Sequence, residues 1–202
     1  MLPIWRGGGI DQKLLHDFAR HIASGHWCHI FPEAGVWQND ELGGREGNIH
    51  KGKFKWGIGK LVAHAPVKPR VFLFVHHGIE TLLPMNKETR KLSLSWKSLY
   101  DWWKRGGHDI RVRFGEEVTF DDLIEEHENK YGKLWKYSSN RVIMNNGNTC
   151  DTKIIRYSNG VEEHEDDRWI SGDKEKILYN KITLRVERKL SELHKQHIPV
   201  DI

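Results

Sequence analysis

Six consecutive residues, Arg70-Val71-Phe72-Leu73-Phe74-Val75, leave this chain few choices of fold. A β-branched and aromatic run of this length lacks helical periodicity and suits a strand covered on both faces by helices. His76-His77-Gly78 ends it. Upstream, Leu14, Leu15, Phe18 and Ile22 recur at helical spacing after Asp11, a residue type that favours the N-cap, and Ser24-Gly25 stops that helix. Trp27 to Phe31 is a second apolar run, expected to be a buried strand ending at Pro32. Helices alternating with buried strands are the pattern of an α/β domain.

The same grammar continues downstream. Lys55 to His64 reads as a helix that ends before Pro66, because the residue preceding a proline resists the helical conformation. Gly57 and Gly59 inside it point to the close approach of something, a neighbouring helix being the simplest candidate. Ile110 to Phe114 alternates as a strand, and Thr119 or Asp121 caps an acidic helix running to about His127. Ile177, Leu178, Ile182, Val186, Leu190 and Leu193 form the apolar stripe of a C-terminal amphipathic helix. Helices of this pattern more often dock on their own domain than lie on a membrane. Residues 38–52 read as a glycine-bearing loop. Residues 86–109, with Trp96, Trp102 and Trp103, read as an insertion with some helix, and 137–173 as a loop or small hairpin.

Composition narrows the classes of function. A chain of 202 residues fits one domain with a real core. No apolar run approaches the roughly 20 residues of a membrane-spanning helix, and the first residues do not read as a targeting segment. The formal charge of +4 and pI of 9.0 suit an anionic lipid surface. Acidic and basic residues are interleaved without a long basic block, which argues against nucleic acid as a partner. Two cysteines and thirteen histidines, none in a zinc-type spacing, indicate no disulfide framework and no metal site.

Four clusters can carry chemistry. Phe31-Pro32-Glu33 brings one carboxylate to the expected end of a strand, where it can accept from a substrate hydroxyl or merely order loop amides. Arg6 beside Gly7-Gly8-Gly9 offers a guanidinium fork and free amides to a phosphate, or is an ordinary turn. Lys51, Lys53 and Lys55 alternate with Phe54 and Trp56, a combination found where headgroups meet protein, and equally in a charged loop entering a helix. His76 or His77, at the end of the strongest strand, can serve as a base, although no Asp or Ser partner is recognisable and a packing or loop-fixing role is the simpler reading.

Taken in order, Pro3 to Gly9, Trp27 to Glu33, Phe54 to Leu61, Val75 to Ile79 with Leu83-Pro84, and Ile110 to Gly115 resemble the tafazzin family of phospholipid/glycerol acyltransferases. The resemblance covers about residues 2–120, with a similar tail helix. It implies an α/β fold with a mixed central sheet flanked by helices. It places residues 1–136 in the C-terminal portion of an acyltransferase domain, and 137–202 in an irregular segment plus the C-terminal helix. It also implies O-acyl transfer between phospholipids and lysophospholipids, cardiolipin remodelling, and a peripheral place on an anionic mitochondrial membrane surface. No metal or soluble cofactor is implied. Arg6 and Gly7 match the family's second motif. Phe31, Pro32 and Glu33 match the third, with Lys53 and Lys55 completing the expected acceptor-binding set. Ala34 stands where the family carries glycine, and 38–52 and 86–109 exceed the family's usual lengths. The family's catalytic His-x-x-x-x-Asp occurs nowhere in the 202 residues. The expectation is therefore a chain that holds substrate without turning it over, the alternative being a non-catalytic lipid-binding protein on the same fold.

Overall fold

The structure, a computed structural model, describes residues 9–32, 54–86, 93–107, 109–137, 154–158, 161–165 and 171–196. Its elements in order are α1 (Lys13–Ala23), α2 (Gly57–His64), β1 (Phe72–His77), α3 (Ile79–Leu82), α4 (Trp96–Lys104), β2 (Arg111–Glu117), α5 (Asp121–Tyr131), β3 (Lys136–Tyr137), β4 (Ile154–Ser158), β5 (Val161–Glu165) and α6 (Asp173–Lys195). They fall into two compact units. One takes the described residues within Met1–Pro32, Lys55–Arg70 and Thr119–Arg185, the other those within Glu33–Phe54, Val71–Val118 and Val186–Ile202.

In the first unit α1 turns Leu15, Phe18, Ala19 and Ile22 toward Leu61, Trp135 and Tyr137, so the spacing read from sequence is the packing face. The helix starts one residue later than expected. Gln12 occupies the N-cap without a side-chain bond, and Asp11 is engaged elsewhere, with Lys60 and Ser171. A buried cation outbids the exposed helix end for that carboxylate. Helix α2 is buried from Gly59 through His64. A Cβ on Gly59 would lie 2.4 Å from the Tyr179 carbonyl oxygen and 2.6 Å from its Cα, so α2 and α6 touch backbone to backbone there. Helix α5 is a turn longer than expected, reaching Tyr131, with Phe120 at its N-cap. Arg185 of α6 grips Asp122 through both guanidinium nitrogens at 2.6 Å and donates to the Thr119 carbonyl at 3.0 Å. Strands β3, β4 and β5 form a small antiparallel sheet, so the expected small hairpin is present as β4–β5.

The second unit is built on one antiparallel ribbon. β1 pairs with β2 in the register Phe74↔Phe114, His76↔Val112 and His77↔Arg111, with an irregularity between Phe72 and Phe74. Only Leu73 and Val75 are buried, while Phe72, Phe74 and His76 lie on the opposite, more open face. The run that reads as a strand buried on both sides is thus covered on one. Gly78 ends β1 at φ +102°, where a Cβ would lie 2.1 Å from the Asp109 carbonyl oxygen, so glycine is required there. Val186, Leu190 and Leu193 of α6 are buried in this unit, as Leu178, Tyr179 and Ile182 are in the first; Ile177 is instead 55% exposed.

Two expectations change. The fold mixes helices with small sheets, compatible with α/β, but every strand pair among the described residues is antiparallel, so the mixed central sheet is not seen. Residues 27–31 form no strand, because no described segment supplies a ladder for their N–H and C=O groups. The loop 38–52 and the turn at Asn145–Asn148 lie outside the described residues.

Candidate functional site

Residues 27–32 keep the alternation of a strand without its pairing. Cys28 and Ile30 turn inward, Ile30 against the α1 core. Trp27 (82% exposed), His29 and Phe31 (66%) turn outward, with the His29 and Phe31 rings 4.4 Å apart. The Pro32 carbonyl then accepts a 2.8 Å hydrogen bond from the Lys55 amide. That bond joins two motifs separated in sequence and sets Phe31-Pro32 beside the entrance of α2. Lys55 is exposed, Trp56 follows at the N-cap, and no side chain caps the helix. The uncapped amides of the first turn and the Lys55 ammonium both favour an anionic group there. Of the expected site residues, Phe31, Pro32 and Lys55 are thus brought together. Arg6, Gly7, Glu33 and Lys53 lie outside the described residues.

A buried polar assembly that sequence reading missed fixes this entrance. Lys60 is fully buried, bonded to Asp11 and 5.6 Å from the Trp135 ring centre. Burial lowers the Lys60 pKa, and the Asp11 carboxylate opposes that. Burial pushes Asp11 upward, yet the bonds from Lys60 and Ser171 prevail and hold it below the ordinary carboxylate range. One turn on, His64 is also fully buried, stacked on Trp135 at 3.7 Å. Its Nδ1 meets the Trp135 carbonyl at 2.7 Å, and a carbonyl only accepts, so Nδ1 carries the proton. Nε2 therefore accepts from the Tyr179 hydroxyl. Burial keeps the ring neutral, well below its usual pKa. Lys136 donates to the Ala63 carbonyl at 2.7 Å, closing the far end of α2, and Trp56 Nε1 donates to Asn180 at 3.2 Å. These bonds hold α2 in place, those of His64 buried and that of Trp56 at the surface. The signal in sequence was a lone Lys and a lone His inside an apolar stretch, Gly59 to Ala65.

The other candidates do not assemble a reactive centre. His77 is half-buried and stacks on His194, ring centres 5.5 Å apart. A groove of about 420 Å³ lies between α5 and the start of α6, lined by Tyr131, Lys133, Asp173 and Lys174 among others, and takes in none of the expected site residues. Among the described residues no group of three His, Cys, Asp or Glu can hold a metal ion.

No protein-family model matches the chain, and no solved structure matches it. Three curated proteins are similar to it. An Arabidopsis thaliana protein named N-acylphosphatidylethanolamine synthase is 36% identical over 120 residues, covering 59% of this chain and 37% of the relative. A Dictyostelium discoideum protein named Taffazin is 28% identical over 144 residues, 68% of this chain and 43% of the relative. Drosophila melanogaster Tafazzin is 31% identical over 124 residues, 61% of this chain and 27% of the relative. The matches thus span well under half the length of these relatives. Two of the three carry the tafazzin name and the third is named for N-acylphosphatidylethanolamine synthesis, so the chain is similar, over about 60–68% of its own length, to proteins named for acting on phospholipids.

Proposed function

We propose that this chain is the acceptor-binding and C-terminal portion of a tafazzin-type phospholipid–lysophospholipid transacylase that remodels cardiolipin acyl chains at a mitochondrial membrane surface. The hydrogen bond from Lys55 to Pro32 is the observation that carries the reading, because it unites the family's acceptor motif with a cationic helix entrance. Phe31 offers an exposed apolar ring to the lipid's glycerol and chain, and Lys55 with the first amides of α2 meets its phosphate. Arg6, Gly7, Glu33 and Lys53 belong to the same reading by the sequence resemblance alone. In the whole protein a histidine base would take the proton from the acceptor hydroxyl as its oxygen attacks the donor's ester carbonyl, and as the donor's own ester C–O bond breaks it would return that proton to the departing oxygen, releasing the donor as a lysophospholipid. That histidine belongs to the His-x-x-x-x-Asp motif, which the 202 residues do not contain.

Titration of the chain with a short-chain, monomeric lysophosphatidylglycerol, followed by calorimetry or NMR, tests the site. Lys55→Glu and Phe31→Ser are expected to weaken binding by about fivefold each, and binding indifferent to both would refute it. Transfer of labelled acyl chains to monolysocardiolipin by the chain alone would overturn the assignment of the base.

A further inference from the structure

Helix α4 is packed the wrong way round for a helix that folds onto its own core. Trp96, Tyr100 and Trp103 stand at i, i+4 and i+7, one face of the helix, and are 75%, 57% and 76% exposed. Ser98, Leu99 and Asp101 are the better-covered residues, and none in the helix is buried. A globular helix of this kind normally turns its large apolar side chains inward and its polar ones outward. The three rings together expose roughly 400 Å², a patch of the size that marks an interaction surface.

The helix is nevertheless well finished at both ends. The Ser95 hydroxyl accepts from the Ser98 amide at 3.1 Å, and the amides of Arg105, Gly106 and Gly107 close on the carbonyls of Asp101, Trp103 and Trp102. Nine residues are too few for a helix to be stable by itself. They are also far too few to span a bilayer, and no helix among the described residues is long and apolar enough to do so.

The chemistry of the face selects its occupant. Trp and Tyr pair an apolar ring with a polar N–H or O–H, the combination that settles at headgroup level rather than in a dry protein core. Lys97 and Lys104 flank the aromatic face on the Tyr100 side, with the Lys104 ammonium 5.9 Å from the Tyr100 ring centre, whereas Asp101 lies farther round the helix. Aromatics bordered by lysines complement an anionic lipid surface.

We propose that α4 is an interfacial docking helix, seating Trp96, Tyr100 and Trp103 among the headgroups of an anionic bilayer with Lys97 and Lys104 on the lipid phosphates. It rests on the reading of this chain as lipid-directed but uses a surface distinct from the Phe31–Lys55 site.

The test is co-sedimentation of the full chain with vesicles of phosphatidylcholine alone or with one-fifth phosphatidylglycerol. Trp96→Ser with Trp103→Ser is expected to lower the partition coefficient at least tenfold on both. Lys97→Glu with Lys104→Glu is expected to lower it several-fold only on the anionic vesicles, and less as salt rises. Because all four side chains are exposed, far-UV circular dichroism and the melting temperature should not change. Vesicle binding unaffected by the aromatic pair, or absent in the parent chain, overturns the proposal. So does a parent chain whose self-association, rather than vesicle binding, is what the aromatic pair abolishes. Monomeric lysophosphatidylglycerol separates the two surfaces. Loss of vesicle binding with that ligand's affinity intact supports α4, whereas vesicle binding through α4 by a chain that ignores the ligand refutes the acceptor site alone.

Discussion

Replacing Gly59 by alanine sets two opposite effects against each other. Alanine is about 1 kcal/mol better than glycine inside a helix, so propensity alone predicts stabilisation. The added Cβ, however, would lie 2.4 Å, 2.6 Å and 2.9 Å from the oxygen, Cα and carbonyl carbon of Tyr179. All three atoms are backbone, so no side-chain rotation relieves the overlap. Restoring an ordinary contact requires α6 to retreat from α2 by about 1 Å, a gap that forfeits a quarter to a half of the dispersion energy across the contact. The retreat also stretches the bond between His64 and Tyr179. With overpacking at the upper end of its usual ~1–3 kcal/mol and a weakened buried hydrogen bond added, the net loss after the propensity gain is about 2–3 kcal/mol. That corresponds to a melting temperature lower by roughly 4–12 °C. Gly57→Ala is the internal control: its Cβ meets only Leu15 at 3.5 Å, an ordinary contact, so the change should be neutral or stabilising by up to ~1 kcal/mol. Urea and thermal unfolding followed by far-UV circular dichroism measure both. Equal effects of the two substitutions, or a stabilised Gly59→Ala, would refute backbone contact between α2 and α6.

Asp11→Ala removes the carboxylate that faces the buried Lys60 ammonium and should cost about 2–3 kcal/mol, less than a fully enclosed pair because Asp11 is part-exposed. Adding Lys60→Met should recover most of that loss in urea unfolding. His64 is neutral in the fold and ordinarily titrates near 6.5 when unfolded, so the unfolded chain binds more protons below that pH. Stability is therefore complete above pH 6.5 and falls as pH drops, by up to about 1.4 kcal/mol per pH unit. His64→Phe with Tyr179→Phe should flatten most of that slope, leaving the share of His127, which burial also holds low. The Asp122 carboxyl is held at about 2 by its hydrogen bonds from Arg185. Its contribution is present above pH 4 and disappears as pH falls toward 2. Because the carboxylate is 64% exposed, Asp122→Asn should cost under about 1 kcal/mol at pH 7, and less in 1 M salt.

What the sequence made legible depended on how local the cause was. The α1 stripe and the α6 stripe were readable because helical period and packing coincide at Leu15, Phe18, Ile22, Leu178 and Ile182; Ala19 joins the packing face unread, and Leu14 was read into the stripe but is not part of the core cluster. Gly57 and Gly59 both read as close-approach sites; α6 approaches Gly59, whereas a Cβ on Gly57 would make only an ordinary contact with Leu15. Misreadings arose where the outcome depends on a distant partner. Asp11 has the composition of a helix cap but is recruited by Lys60, 49 residues away. Trp27 to Phe31 has strand composition, yet composition cannot supply the neighbour that makes a strand. Lys60 itself defies the rule that lysine stays outside, and only the fold reveals the carboxylate that permits it. At the candidate site, motif order singled out Phe31, Pro32 and Lys55 as expectations, and the bond from Lys55 to Pro32 is a tertiary fact that sequence could not give.

Within five residues of chain, α2 and its entrance carry two lysines of opposite accessibility. Lys55 is exposed, and the Lys60 amine has no solvent-accessible surface. An amine-directed acylating reagent should therefore reach Lys55 in the folded chain. Lys60 becomes modifiable only in molecules whose α2 has come away from Asp11 and Trp135. With Lys55 as the reference on the same stretch of chain, the modification rate of Lys60 becomes a chemical clock for opening of the helix that carries the site.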